Sequence, residues 1–265
     1  MAFEPGQAVV VTDEAHLAQY GRAFRKIGKK IALVVINSDV TGAHVELIRA
    51  AKSLLGAYTF VVFRGAEVPE AFAREEVDVV FHGPLAAEVA VATGLDHLEP
   101  ADEVAREVAA ILAAINLCHA TDLVMGEKDF ELLVAVQRAV SALRMEVLLH
   151  SLPTVRHPDG LAISVRNGLL LSDAHREAAL ALSAALTAGA HAAEHGADVV
   201  LETARGIFAA AGVEPVYLEL RDLGFRPAPE TGDVRLLAAI DVDGVHLIDN
   251  VGLPLGVGFK YAGQE

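Results

Sequence analysis

Residues 31–56 read IALVVINSDVTGAHVELIRAAKSLLG, an apolar run followed by a segment with helical spacing. Its first six residues, Ile31–Ile36, are apolar and rich in β-branched side chains, which predicts a strand buried on both faces of a parallel sheet. From Thr41 to Leu55 the apolar residues recur at helical spacing, and Gly56 follows as a residue that commonly ends helices. The stretch therefore predicts one strand–loop–helix unit of an α/β protein.

The same alternation continues through the first half of the chain. Further strands are predicted at 59–63, 77–81, 123–125 and 146–150, and helices at 69–74, 103–117 and 130–143. Strands that alternate with helices predict a Rossmann-like, doubly wound parallel sheet. Small ligands bind beyond the carboxyl ends of the strands in such sheets, so the loops that begin at Asn37, Arg64 and Gly126 are expected to carry a site.

The pattern changes after Pro153. A long alanine-rich helix is predicted over 172–195 and a second helix over 197–211, followed by three short strands, the last two joined by the hairpin turn Asp243-Gly244. We therefore predict a Rossmann-like domain over residues 1–154 and a smaller α+β domain over residues 155–265.

Composition excludes several classes of protein. The chain has 265 residues and a formal net charge of -15, which argues against a broad surface for nucleic acid or for an anionic membrane. The single cysteine, Cys118, permits no internal disulfide, and its apolar neighbours predict a buried thiol. No basic leader and no membrane-spanning apolar stretch is visible in the sequence, so we expect a cytoplasmic protein.

Three segments carry a family resemblance: MGEKDF at 125–130, PTVR at 153–156 and DGLAISVRN at 159–167. They resemble, in order and spacing, the FGEKDYQQ, PTVRE and DGLAMSSRN motifs of the pantothenate synthetases (pantoate–β-alanine ligases), which are nucleotidyltransferases of the HIGH-motif type. The resemblance implies a nucleotide-binding domain with a lid domain. It also implies an ATP-dependent acid–amine ligase reaction, with Mg²⁺, through a pantoyl-adenylate.

The resemblance assigns most of a nucleotide site. Lys128, Ser164 and Arg166 match phosphate-binding positions, and Gly126 and Asp129 match positions that contact the ribose, while no set of protein metal ligands is implied. Cationic groups and a hydroxyl suit a developing pyrophosphate. Two other interpretations stay open: Lys128 and Asp129 as a charged pair that opens a helix, with Asp129 as its N-cap, and Arg166 as a surface arginine.

The segment after the first predicted strand departs from the family. The family motif PTMGALHxGH aligns with 35–44 of this chain, and only its second histidine is kept, as His44. Thr41 stands at the first histidine, Ala43 adds a methyl group, and Asp39 adds a negative charge near the expected phosphates. With Lys128 and Arg166, His44 completes the candidate catalytic set. It could instead be a first-turn helix residue satisfied by local contacts.

The acid-binding positions have also changed. The family's FVNPxQF aligns with 62–67, where this chain has neither Asn nor Gln, and a second family glutamine aligns with Leu132. If a site for a hydroxy acid loses an amide, a polar group of the acid is left without a partner, which weakens its binding free energy by roughly 1–3 kcal/mol. Arg64, at the end of a predicted strand, is the candidate to meet a small carboxylic acid, although a surface arginine is the alternative.

Three functional hypotheses follow from a site whose nucleotide-binding positions are mostly kept and whose acid-binding positions have changed. The first is a divergent homologue with impaired pantoate ligation, acting as a degenerate paralogue or as a regulatory or structural partner of an active synthetase. The second is an active ligase, or another adenylate-forming enzyme, with a rebuilt acid pocket, and the third is a nucleotidyltransferase for another small acid. The expected partners are ATP, a small carboxylic acid, and a second chain in a homodimer or in a heterodimer with a synthetase paralogue.

Overall fold

A computed structural model of the protein describes residues 3–83, 85, 88–168 and 172–257. Contacts within the chain divide it into two compact units, with the division between Val155 and Arg156. Each unit has its own sheet, parallel in the first and antiparallel in the second.

The first unit is built on a six-stranded sheet in which every pair of neighbouring strands is parallel. Its strand order is β1-β4-β3-β2-β5-β6. The strands are β1 (Val9–Val11), β2 (Lys30–Ile36), β3 (Ala57–Phe63), β4 (Val79–Phe81), β5 (Asp122–Gly126) and β6 (Leu148–Leu152). This order reverses direction beside β2, which is the property of a doubly wound sheet, so the predicted fold class is confirmed.

Helices cover the first sheet: α1 (Glu14–Lys26), α2 (Gly42–Lys52), α3 (Ala71–Arg74), α4 (Ala101–Cys118) and α5 (Phe130–Ala142). In β2, Ile31 and Val34 are fully buried because β3 and β5 flank the strand and helices pack against it. Cys118, at the end of α4, is also buried, and burial raises the pKa of its thiol. Among the described helices, none is both long and apolar enough to cross a membrane.

The first two elements, β1 and α1, were not predicted. Asp13 caps α1 by accepting a hydrogen bond from the backbone N–H of His16, at 2.8 Å. The buried face of α1 includes Leu17, Gly21 and Phe24. Gly21 lies against the end of α4, where an added Cβ would stand 2.4 Å from the carbonyl oxygen of Cys118. The apolar stripe of α1 is therefore interrupted by a glycine whose role is close packing.

The second unit packs helices against a three-stranded antiparallel sheet, β7-β8-β9. Its elements are α6 (Val165–Gly168), α7 (Asp173–His191), α8 (Ala197–Ala210), β7 (Pro215–Asp222), β8 (Gly232–Val242) and β9 (Val245–Leu255). The predicted helix over 172–195 is too long, because α7 ends at His191 and a 3-10 turn, Ala193–His195, follows it. Gly196, at φ +90°, then turns the chain into α8.

Two glycine-to-alanine changes test the packing of α1. Gly21→Ala should lower the free energy of unfolding by about 1–3 kcal/mol, because the new methyl group meets the Cys118 carbonyl. Gly206→Ala, at an exposed position of α8, meets no atom within 4 Å and should raise it by about 0.5–1 kcal/mol. Urea unfolding of both variants measures the two opposite changes in the free energy of unfolding. A stabilised Gly21→Ala protein would contradict the packing of α1 on α4.

Candidate active site

The candidate site lies in the first unit, where the loops after β2, β3 and β5 leave the same edge of the sheet. β2 pairs with β3 up to Ile36↔Phe63 and with β5 up to Val34↔Val124. Continuing that register by two residues places Ile36 level with Gly126. The three loops predicted to carry a site therefore begin side by side.

The N-terminus of α2 is the first feature at this edge. The backbone N–H of Thr41 donates to Nδ1 of His44 at 3.1 Å, so the imidazole fills the role that Glu or Gln has in a capping box. The first turn of α2 contains no acidic residue, which leaves the positive end of the helix dipole uncompensated by a carboxylate from that turn. This end of α2 favours an anion.

His44 and Asp129 are brought together across this edge. Burial lowers the pKa of His44, while the charge of Asp129 and a backbone hydrogen bond with Asp39 act in the opposite direction. The imidazole is therefore mainly neutral near pH 7, and Nδ1 is the acceptor, which leaves Nε2 with the proton. His44 makes local contacts in the first helical turn, as the alternative interpretation holds, and it is also within reach of the charge of Asp129.

Gly126, Lys128 and Asp129 lie at the end of β5 and in the 3-10 turn that follows it. Nζ of Lys128 is 3.5 Å from Oδ1 of Asp129, and the Lys128 side chain is 18% exposed. Asp129 occupies the N-cap position of α5, but its side chain makes no capping hydrogen bond. The structure thus places Asp129 at the helix start without the bond that a purely structural cap would supply.

The backbone at Gly126 is open. Its φ is -81°, which any residue adopts, and a Cβ added there would meet no atom within 4 Å. Neither backbone conformation nor packing within the described chain therefore requires a glycine. The open space suits a ligand that approaches the backbone closely.

Ser164 and Arg166 lie in the second unit, around the short helix α6. The hydroxyl oxygen of Ser164 accepts a hydrogen bond from the backbone N–H of Asn167 at 3.1 Å. Nη1 of Arg166 donates to the backbone carbonyl of His246 at 3.2 Å. Arg166 is exposed and is held only by a backbone oxygen in this contact, so its guanidinium retains donors for an anion.

A partly buried ion pair fixes the segment that leads to Ser164. Arg156 donates to both carboxylate oxygens of Asp249, at 2.6 and 2.9 Å, and the Asp249 side chain is 3% exposed. Arg156 also bonds the carbonyl of Gly160 and forms a backbone bridge with Ala162. The bidentate pair therefore anchors the 156–162 turn to β9.

Arg64 is held by two partners within the first unit. Its Nη2 donates to both oxygens of Glu107, at 2.7 and 2.6 Å, and its Nε donates to Oδ1 of Asn37 at 2.8 Å. Nδ2 of Asn37 in turn donates to Glu107. We call these three residues the Arg64 triad. The sequence singled out Arg64 but assigned no role to Asn37 or Glu107. Asn37 could have been noticed because it directly follows a strand, whereas nothing in the sequence pointed to Glu107.

Glu131 is a second residue whose role the sequence did not reveal. It follows the GEKDF motif on α5, and the residue is 5% exposed. It bonds the imidazole of His97 at 2.6 Å and accepts the backbone N–H groups of Leu98 and Glu99 at 3.1 and 3.0 Å. Glu131 therefore anchors the irregular 97–99 segment, and its neighbour Leu132 presents no polar group to this edge.

No cluster of three or more His, Cys, Asp or Glu side chains that could hold a metal ion is found within residues 3–83, 85, 88–168 and 172–257. Lys128 and the positive end of α2 suit the phosphate groups of an anionic ligand.

Comparison with known proteins gives a consistent result. The family model described as pantoate-beta-alanine ligase matches residues 70–252. A pantothenate synthetase of Corynebacterium jeikeium is 40% identical, with 98% of this chain and 94% of that protein covered. One of Saccharopolyspora erythraea is 36% identical, with 96% and 94% covered. The first alignment runs over 291 positions, more than the 265 residues here, so that relative has residues without a counterpart.

Solved structures agree at the level of the fold. A pantothenate synthetase of Thermus thermophilus superposes with a TM-score of 0.79 at 20% identity, covering 92% of this chain and 98% of that one. A pantoate-beta-alanine ligase of Francisella tularensis, crystallised with beta-gamma ATP and beta-alanine, has a TM-score of 0.68 at 18% identity, covering 92% and 97%.

Replacing Asp129 tests the contact across the edge. Asp129→Asn should lower the pKa of His44 further, because the carboxylate charge raises it. The folded protein already binds this proton more weakly than the unfolded chain. The free energy of unfolding therefore falls as the pH drops below about 6.5, and the variant should steepen that fall.

An NMR titration of the His44 ring protons measures the shift. Glu14→Gln is the matched control, because Glu14 is not among the groups that shift the pKa of His44. An unchanged or raised pKa of His44 in Asp129→Asn would show that the two side chains do not face each other.

Proposed function

Because the chain belongs to the pantothenate synthetase family, we propose that it binds ATP with Mg²⁺ through a retained nucleotide site, and that its altered acid site makes ordinary pantoate–β-alanine ligation weak. The observation that carries this proposal is a contrast at one edge of the sheet. Gly126 and the start of α2 are open to an anion, whereas Arg64 is already bound to a carboxylate of the chain itself.

The nucleotide half is supported by complementary charge. The positive end of α2, the Lys128 ammonium and the open backbone at Gly126 lie on adjacent loops, which is a common arrangement for phosphate binding. The Asp129 side chain makes no capping bond, so its carboxylate can accept hydrogen bonds from two ribose hydroxyls. Ser164 and Arg166, in the second unit, carry the same proposal on their sequence match alone.

In this proposal His44 is neutral, Nδ1 accepts from Thr41, and the ring N–H exchanges its backbone hydrogen bond with Asp39 for one to a phosphate oxygen. A neutral donor orients a phosphate oxygen but adds no charge, so within the first unit the positive charge has to come from Lys128 and from the metal. Magnesium, when it is bound with the nucleotide, would neutralise part of the phosphate charge. Lys128 is thus the residue of the first unit on which nucleotide affinity depends most.

The acid half is supported by what the same edge lacks. The Arg64 guanidinium is neutralised by Glu107, and Leu132 places an apolar side chain where the family has an amide. A hydroxy acid there would leave polar groups without partners, at roughly 1–3 kcal/mol for each. Two such losses, about 2–6 kcal/mol together, correspond to about a thirtyfold or greater loss of affinity.

A second candidate is an active ligase whose acid pocket is rebuilt around Arg64. The 40% identity to the Corynebacterium jeikeium synthetase over almost the whole chain favours it. In that case Arg64 exchanges Glu107 for the carboxylate of the substrate. A partner role beside an authentic synthetase, in a homodimer or heterodimer, follows from the first candidate, and co-expression with such a synthetase followed by size-exclusion chromatography tests it.

Calorimetric titration with MgATP, followed by assay of pyrophosphate release, separates the candidates. We expect the protein to bind MgATP and to release pyrophosphate slowly with D-pantoate, with or without β-alanine. Lys128→Met should weaken MgATP binding at least tenfold, since it removes a charge-assisted contact. Lys26→Met, at the exposed end of α1, is the control that should bind normally.

Absence of MgATP binding would contradict both candidates. Rapid pyrophosphate release that depends on D-pantoate and β-alanine would favour the active ligase and contradict the first proposal.

Gly126→Ala tests how closely the nucleotide approaches the backbone. The new methyl group meets no protein atom, so the free energy of unfolding should stay within about 0.5 kcal/mol of the wild type. MgATP affinity should fall about tenfold or more, because the methyl group occupies space proposed for the nucleotide. Calorimetry and urea unfolding measure the two effects. Unchanged affinity would remove Gly126 from the site.

A further inference from the structure

The Arg64 triad is a closed set of hydrogen bonds that joins three separate segments. Asn37 follows β2, Arg64 follows β3, and Glu107 lies in the second turn of α4. Each member bonds both of the others: Arg64 holds both oxygens of Glu107 and the amide oxygen of Asn37, and Asn37 donates to Glu107. A carboxylate is thus held at the carboxyl edge of the sheet by a guanidinium and an amide.

This arrangement differs from an ordinary surface ion pair. The neighbouring pair on the same helix, Arg106 with Asp102, spans one turn, and its side chains are 59% and 70% exposed. Arg64 and Glu107 are each only 25% exposed, come from different elements, and share a third partner. Partial burial and two donors to one carboxylate make such a contact stronger than an exposed pair.

Position gives the triad its significance. In an open parallel sheet, ligands bind beyond the carboxyl ends of the strands where the strand order reverses, and β2 and β3 end beside that point here. Arg64 and Asn37 are the recognition groups that a small carboxylic acid needs: a forked cation and an amide. The ligand that fills them is Glu107.

We infer that Glu107 is an internal occupant of an acid-binding position, and that its contact with Arg64 and Asn37 excludes small carboxylic acids from this edge. The inference rests on the proposed acid half of the site, and it names Glu107 as the residue that sets the specificity. An incoming carboxylate has to displace one that is attached to the chain and therefore always present, which lowers its apparent affinity.

Removing the charge of Glu107 should open the position. Glu107→Gln keeps the shape of the side chain and can still accept one hydrogen bond from Arg64, but it competes for the guanidinium only as a neutral amide, which binds less strongly than a carboxylate. D-Pantoate should then bind at least tenfold more tightly than to the wild type. The uncharged D-pantolactone should gain nothing, because it has no carboxylate for Arg64.

The experiment compares four proteins by calorimetric titration with D-pantoate in the absence of ATP: wild type, Glu107→Gln, Glu107→Gln with Arg64→Met, and Glu103→Gln. The double variant should lose the gain, since the guanidinium is absent. Glu103→Gln, an exposed glutamate one turn earlier on α4, should behave as the wild type. Thermal unfolding of each protein establishes that it is folded.

Each outcome decides the inference. A gain in Glu107→Gln that is lost in the double variant supports it. No gain in a folded Glu107→Gln protein, an equal gain in Glu103→Gln, or an equal gain for D-pantolactone overturns it. MgATP affinity, measured on the same proteins, should not change with Glu107→Gln, so a failure of this inference is distinguishable from a failure of nucleotide binding.

Discussion

The hydrogen bonding of β2 on both of its edges is the constraint on which the rest of the first unit depends. β2 pairs with β3 on one side and with β5 on the other, and all three strands run in the same direction. Parallel neighbours cannot be joined by a tight turn, so α2 carries the chain from β2 to β3 on one side, and α4 carries it from β4 to β5 on the other side of β2. The loops at the carboxyl edge therefore diverge, and the start of α2, Gly126 and Arg64 come to share one small region without any long-range signal in their own sequences.

The sequence predicted the elements that have a strong period and missed those defined by tertiary contact. The apolar run Ile31–Ile36 is typical of a buried strand, and it forms one. Helix α1 was missed because Gly21 interrupts its apolar stripe, and only the close approach to Cys118 explains a glycine there. The helix predicted over 172–195 ends early at His191, because alanine-rich composition favours continuation while the 3-10 turn and Gly196 end the helix.

The candidate site divides in the same way. Short motifs singled out Gly126, Lys128 and Asp129, since all three lie within four residues and follow a strand. Glu107 and Glu131 could not be recognised, because the first bonds residues 70 and 43 positions away and the second bonds a histidine 34 positions away. Their roles depend on which loops the sheet brings together. Arg64 is an example: the sequence predicted its position at the end of a strand but not its partners Asn37 and Glu107.

The two halves of the carboxyl edge differ in how their charges are balanced. At the start of α2 the first helical turn contains no carboxylate that compensates the helix dipole, and Nζ of Lys128 lies 3.5 Å from Oδ1 of Asp129. At Arg64 the balance is complete within the chain. An arginine placed there alone would be a half-buried cation, and a glutamate at 107 alone would be a half-buried anion, each with a desolvation cost. Together with Asn37 they satisfy one another, so the changed acid positions form a connected arrangement of the folded chain. This arrangement differs from a vacant pocket in its selectivity. A ligand can enter only if it binds Arg64 better than Glu107 does.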